Sequence, residues 1–173
     1  MNQLKYLIFL VLLWPSLAFA APPEVKAVLQ SPVPKGTTTA NLFSFDIYDA
    51  ELFTSNGAPF SMAEPFALTL VYRYNFSADI LAMASVREIS RMEDVPMGRL
   101  RSLRDQLKNC FRDVQKGERV TGVGRTANVI EFYVNGDKTC ALRQENLRER
   151  FFSIWLGSDT RDPDGAARLK GSS

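Results

Sequence analysis

The residue types able to do chemistry in this chain are defined first by the one that is missing. Its 173 residues include no histidine. A Ser-His-Asp triad, a Cys-His dyad or a His-ligated metal site therefore cannot be assembled. The two cysteines, Cys110 and Cys140, fall short of a Cys₄ zinc site. They leave two readings: a disulfide in an oxidising compartment, or two buried thiols acting as small apolar residues. Spacing alone does not show whether their Cα atoms come within bridging distance. Gly122-Val123-Gly124 is not a dinucleotide fingerprint, because it lacks a third glycine and a following helix, so no cofactor is expected. The remaining candidates are Asp46 and Tyr48, which stand where the apolar phase of a β-rich segment changes and which together could hold a water. A tyrosine offers an apolar ring with a polar tip. The alternative for Tyr48 is a core residue whose hydroxyl is satisfied by backbone.

The elements that must position these residues follow from periodicity. Val25, Ala27 and Leu29 alternate, predicting a short strand, with Pro32-Val33-Pro34-Lys35-Gly36 as its turn. Thr37 to Thr54 is long and β-rich. Phe43, Phe45 and Ile47 share one phase, Ala50 and Leu52 the other, which predicts a bulge near Tyr48-Asp49. Ser55-Asn56-Gly57-Ala58-Pro59 is a loop. Phe66 to Tyr74 alternates cleanly, with Phe66, Leu68, Leu70, Tyr72 and Tyr74 on a buried face; Tyr72 and Tyr74 read as packing residues. Ser77 predicts a helix N-cap, the helix running to about Met92 with Ala82, Met83, Val86 and Ile89 as its stripe. Pro96-Met97-Gly98 breaks it. A second helix, roughly Arg99 to Arg112, presents Leu100, Leu103, Leu107, Cys110 and Phe111. Its basic face reads as solvated.

Arg119 to Arg125 predicts a strand in which Gly122 and Gly124 admit a close neighbour, a packed helix being the expected occupant. Asn135-Gly136 between two strands is a strong hairpin signal. A helix from about Gln144 to Leu156 buries Leu147, Phe151, Ile154 and Trp155, with Gly157 as its stop, and Asp162-Pro163 opens a short terminal helix. Segregated strands and helices imply an α+β fold with an antiparallel sheet covered by helices on one face.

Bulk properties restrict the partners. A length of 173 residues fits one domain. A net charge of +2 argues against nucleic acid. Lys5, the apolar run Tyr6 to Trp14 and Ala18-Phe19-Ala20 have the layout of a secretory signal peptide over residues 1–20, cleaved before Ala21. Pro15 interrupts that run before the roughly 20 residues a membrane span needs. The expected location is periplasmic or secreted, with the domain occupying 21–173 and no integral span after cleavage; the alternative is an uncleaved N-terminal anchor.

Several phrases carry a family resemblance. Phe45-Asp46-Ile47-Tyr48-Asp49-Ala50-Glu51-Leu52, Pro65-Phe66-Ala67-Leu68, Arg112-Asp113-Val114-x-x-Gly117-Glu118-Arg119, Phe132-Tyr133-x-Asn135-Gly136 and Phe151-Phe152-x-Ile154-Trp155-Leu156 resemble, in order, phrases of bacterial chalcone-isomerase-like proteins. The resemblance implies an open-faced β-sandwich of chalcone-isomerase type with an apolar cleft between sheet and helices. In plant relatives that cleft serves flavanone-forming isomerases or fatty-acid-binding proteins. The isomerases carry an arginine about a dozen residues before the polar residue of the next strand. Here the stretch Pro34 to Asn41 has none, and Lys35 is its only cation.

Three functions remain. The first is binding of a small apolar ligand, fatty-acid-like or phenolic, with Tyr48 turned toward the cleft and Asp46 beside it. Burying roughly 0.8 kcal/mol per CH₂ gives a medium acyl chain on the order of 10 kcal/mol gross, against an association cost of about 4–15 kcal/mol. The second is a structural or protein-interaction module without a small ligand. The third is an intramolecular lyase, for which the missing arginine is a departure.

Overall fold

The computed structural model describes residues 21–42 and 44–172. The signal-peptide expectation, and the face assigned to Phe43, lie outside them. Six strands form one antiparallel sheet in sequence order: β1 Pro32–Leu42, β2 Phe45–Ser55, β3 Phe66–Tyr72, β4 Arg119–Thr126, β5 Val129–Val134 and β6 Asp137–Arg143. Between β3 and β4 the chain forms α2 Ala78–Glu93, a 3₁₀ turn Met97–Leu100 and α3 Arg101–Cys110, while α4 Leu147–Leu156 and α5 Pro163–Leu169 follow β6. The α+β class, the antiparallel sheet and the helical layer over one face agree with the sequence.

Local chemistry explains most boundaries. Ser77 Oγ accepts from the Ile80 amide, and Asp113 Oδ1 accepts from the Ala78 amide at 2.8 Å, so the start of α2 is capped twice. Asn135 and Gly136 both take positive φ, 51° and 96°, the requirement of a tight hairpin turn between right-twisted strands. Asp162 Oδ1 accepts from the Gly165 amide and Pro163 opens α5. A Cβ at Gly122 would stand 3.2 Å from the Phe152 ring, and one at Gly124 would stand 2.7 Å from Arg148 Cδ. The two glycines thus seat α4 directly on β4, as their spacing predicts.

Four expectations need correction. Val25, Ala27 and Leu29 are not a strand: Pro23–Lys26 is a helical turn, α1, entered through Pro22 and Pro23. The same residues satisfy an i, i+4 spacing, so Val25 and Leu29 are both buried on one side of a helical path. Pro32 to Gly36 is not a turn but the start of β1. An edge strand tolerates proline, since half its N–H groups have no ladder partner to lose. The Thr37–Thr54 segment is two strands folded back on each other. Finally, the chain leaves the β3 ladder at Tyr72, so Tyr74 is exposed rather than buried. The bulge does exist, shifted slightly: Ala40 opposes Tyr48 while Asn41 opposes Asp46, which leaves Ile47 as the extra residue.

Two apolar cores result. The larger lies between the sheet and α2, α3 and α4, and includes Leu52, Phe66, Leu68, Ile89, Leu107, Phe151 and Phe152. The smaller lies on the opposite face, where Ala21, Val25 and Leu29 cover Phe53, Ala67 and Val123. Helix α1 is fixed there by Glu24, whose carboxylate accepts from Arg119 Nε at 2.9 Å and Thr121 Oγ1 at 2.8 Å.

Candidate functional site

The space between sheet and helices is not completely filled. A cavity of about 240 Å³ lies there, walled by five strands below and by α2 and α4 above. That is a little under the roughly 300–1,000 Å³ of drug-sized sites, which suits one chain or one compact ring system. Its floor runs from Ile47 and Tyr48 on β2 through Leu70 and Tyr72 on β3, Val120 and Gly122 on β4 and Phe132 and Val134 on β5, to Thr139 on β6. Strands are spaced by about 4.8 Å, so the path from β2 to β5 is on the order of 14 Å long and crosses the strands. Its roof is Ile80, Leu81, Ala84, Ser85 and Glu88 of α2 with Phe151, Phe152, Ile154 and Trp155 of α4.

The walls are mostly hydrocarbon, so the few polar atoms matter. The bulge at Ile47 lets two successive residues, Ile47 and Tyr48, reach the cavity. Tyr48 faces the helical layer, edge-on to Tyr72 with ring centroids 5.6 Å apart. Trp155 Nε1 donates to the Tyr48 hydroxyl at 2.8 Å. The Tyr48 oxygen is thereby fixed, and its own proton is left to donate. Tyr72 is 7% exposed. Its hydroxyl has no hydrogen-bond partner among the described residues, and it lines the same cavity. Burial pushes both phenols above their ordinary value. For Tyr48 the Trp155 hydrogen bond pulls back, and the charges of Asp162 and Glu88 push up further; for Tyr72 nearby Tyr48 adds to the rise. Both are therefore neutral hydroxyl groups at physiological pH. Ser85 and Thr139 already donate to the carbonyls of Leu81 and Phe132.

Asp46 lies elsewhere. It accepts from Asn41 and faces Arg73 at 3.8 Å, on the wall of a separate shallow surface depression with Phe45 and Tyr74. Asp46 and Tyr48, separated by the bulged Ile47, thus line different depressions, and Asp46 is not among the residues that wall the cleft. Lys35 is also remote, its ammonium donating to the Gly57 carbonyl. Sequence reasoning assigned Tyr72 to packing. The available signal was its position two residues beyond Leu70, at the end of the ladder, where the floor meets the bulge.

Cys110 and Cys140 form a disulfide, their Cα atoms 5.3 Å apart, tying the end of α3 to β6. The backbone of Val114 pairs with that of Phe76 in both directions, at 2.8 and 2.9 Å. These ties hold residues 110–114 against the cavity, where Phe111, Arg112 and Val114 contribute to the wall.

A family model described as chalcone isomerase-like matches residues 24–168. No curated protein matches the sequence. Among solved structures the chain is similar to a fatty-acid binding protein of Arabidopsis thaliana, with a TM-score of 0.63, 10% identity, and coverage of 82% of this chain and 87% of that one.

Proposed function

The chain belongs to the chalcone isomerase-like family, and from that premise we propose that it holds a small apolar ligand, fatty-acid-like or phenolic, in the cleft without transforming it. The observation that carries this reading is an unfilled hydrocarbon cavity whose wall holds Tyr72, a residue whose hydroxyl has no hydrogen-bond partner among the described residues. A ligand atom that accepts or donates there gains a hydrogen bond worth about 0.5–1.5 kcal/mol net, while its apolar body gains roughly 0.8 kcal/mol per buried CH₂. The structural similarity to a fatty-acid binding protein supports the reading. Native mass spectrometry of protein purified from the organism that makes it is the direct test. The expected result is a mass excess of one apolar molecule. An entirely unliganded mass, together with failure to bind an apolar fluorescent probe, would overturn it.

The non-catalytic part rests on the wall's charges. The stretch Pro34 to Asn41 lies in edge strand β1 and contributes nothing to the cavity, and Arg112 is the one cation among the described lining residues. That guanidinium is held on the Val134 carbonyl of β5, whereas the two phenols lie on β2 and β3, where a developing enolate would need electrostatic stabilisation. In an absorbance assay with chalcones, ring closure should proceed at the spontaneous rate. Enantioselective flavanone formation well above that rate counts against the proposal.

Export completes it. Residues 1–20 have the layout of a secretory signal, and the Cys110–Cys140 bridge supports a periplasmic or secreted location, where disulfides persist. Mass analysis of secreted material should give a chain starting at Ala21. One still starting at Met1 would refute cleavage.

A further inference from the structure

We propose that the end of the molecule formed by the β1–β2 turn docks on a phospholipid bilayer. Leu42, Phe45, Tyr74 and Ile80 enter the interfacial layer, Lys116 lies among the headgroups, and the mouth of the cavity is held against the lipid.

Large apolar side chains gather in water at this end. Leu42 and Phe45 are the last register pair of the β1–β2 hairpin and are 58% and 60% exposed. Tyr74, 45% exposed, lines the same shallow depression as Phe45. Ile80, near the start of α2, is 54% exposed. Tyr48 pairs with Tyr72, and the Arg73 amide donates to the Ile47 carbonyl. The β1–β2 turn, Tyr74 and the start of α2 therefore share one end of the sheet. One exposed leucine is ordinary, whereas a group of this size marks an interaction site. The cavity opens at the same end. Ile80, Ala84 and Glu88 follow one another at i, i+4 spacing along α2 and line it together with Ile47 and Tyr48. Ile80 and Ala84 are exposed, so this row is the rim, and Ile47 is two residues from Phe45.

Area, charge and position select a bilayer over a protein. A large aromatic side chain covers about 150–250 Å², so the four, at their exposures, offer on the order of 400 Å². A stable dimer or complex buries about 800 Å² per partner. In the depression Asp46 faces Arg73, which also holds Asp49, whereas Lys116 has no carboxylate within ion-pairing distance among the described residues. Asp113 and Glu118, on the same segment as Lys116, accept from the backbone amides of Ala78 and Gln115. An apolar tip with an uncommitted cation at its edge is the composition of an interfacial anchor, its hydrocarbon below the headgroups and its ammonium among the phosphates. A ligand as apolar as the cavity wall resides in lipid, and a mouth beside the anchor lets it pass without crossing water. That passage rests on the binding reading; the docking does not.

Co-sedimentation of the full mature chain with vesicles of phosphatidylcholine and phosphatidylglycerol in equal parts tests this. The parent is expected to sediment with the vesicles. Leu42→Ser combined with Phe45→Ser should weaken the partitioning at least about tenfold, since two apolar side chains leave the interface. Lys116→Gln should weaken it about fivefold on these vesicles and leave it unchanged on phosphatidylcholine alone. Val33→Ser, at the far end of β1 and 42% exposed, should match the parent. Thermal unfolding of all variants should match the parent, which separates docking from folding. The Leu42→Ser, Phe45→Ser variant should also keep the parent's affinity for an apolar fluorescent probe in solution, yet take it up from labelled vesicles several-fold more slowly. A parent that stays in the supernatant, or equal partitioning of parent and double variant, overturns the proposal. A dimer in sedimentation velocity that Phe45→Ser dissolves would assign the surface to a second copy and overturn it as well. If the parent binds vesicles but no apolar probe, the binding reading falls and the docking surface stands.

Discussion

Tyr48 and Tyr72 share a face and a neighbourhood, yet the indole of Trp155 satisfies one and nothing described satisfies the other. That difference assigns them separate effects. Tyr72→Phe removes an unpartnered hydroxyl on the cavity wall and leaves ring packing intact. The free protein should keep its stability to within about 0.5 kcal/mol, measured by urea unfolding. Affinity for a phenolic or hydroxylated apolar probe should meanwhile fall several-fold, the value of one hydrogen bond. A clear loss of stability would mean that the hydroxyl has a protein partner after all. Trp155→Phe acts in the other direction, leaving the Tyr48 oxygen unpaired at a cost of about 1 kcal/mol before any ligand is added. The sequence pointed to Tyr48, because the phase slip of its strand is visible as a pattern. It could not separate Tyr72 from an ordinary core residue, because whether a hydroxyl finds a partner depends on a helix eighty residues further along the chain, at about α4.

At the scale of elements, α1 shows what periodicity cannot decide. Val25, Ala27 and Leu29 fit alternation and helical spacing equally over so short a stretch, and the outcome was set by Glu24. Its side chain is sealed beneath α1 and held by Arg119 and Thr121, residues nearly a hundred positions away. Burial alone would raise this carboxyl, but the hydrogen bonds from Arg119 and Thr121 outweigh it, and the group lies below its ordinary value. The stability it contributes is therefore complete above the unfolded value of about 4.3 and is lost as pH falls through the lower folded value. Glu24→Gln should cost about 2–3 kcal/mol at neutral pH, since removing one partner strands the other. The gap between parent and variant should narrow steadily below pH of about 4. A gap that is constant with pH would show that packing, not the ion pair, fixes α1. By contrast, the seating of α4 on β4 was legible in advance, because Gly122 and Gly124 advertise a missing side chain in the residues themselves. Gly122→Val should press against Phe152 and cost about 1–3 kcal/mol, with a smaller cavity as the by-product.

Considered whole, the molecule is an open sheet whose strands follow sequence order, so it has two free edges that must be protected. The β1 edge carries Pro32 and Pro34 and is covered by α5, where Gly36 admits the Arg168 carbonyl and Arg168 donates to Thr38. At the β6 edge the Cys110–Cys140 bridge fastens α3 to the outermost strand. The layered plan was readable from the segregation of strands and helices. The second core, on the face opposite α2, α3 and α4, was not readable, because its residues come from the segment around α1 and from β2, β3, β4 and β5 and meet only in three dimensions. The bridge has a consequence for the whole cleft. Its cysteines are 30 residues apart, so closing that loop in the unfolded chain should stabilise the fold by about 3–4 kcal/mol. It also immediately precedes Phe111 and Arg112, which close the β5 end of the cavity. Cys110→Ala combined with Cys140→Ala should lower the denaturation midpoint by an amount matching that figure and make the parent's sensitivity to reductant disappear. If the bridge also holds the cavity's end in place, ligand dissociation should speed up several-fold in the double variant at temperatures where it remains folded. A double variant with the parent's midpoint would show that the two cysteines do not constrain the unfolded chain, and one with the parent's dissociation rate would show that Phe111 and Arg112 are positioned by Val114 and Asp113 alone.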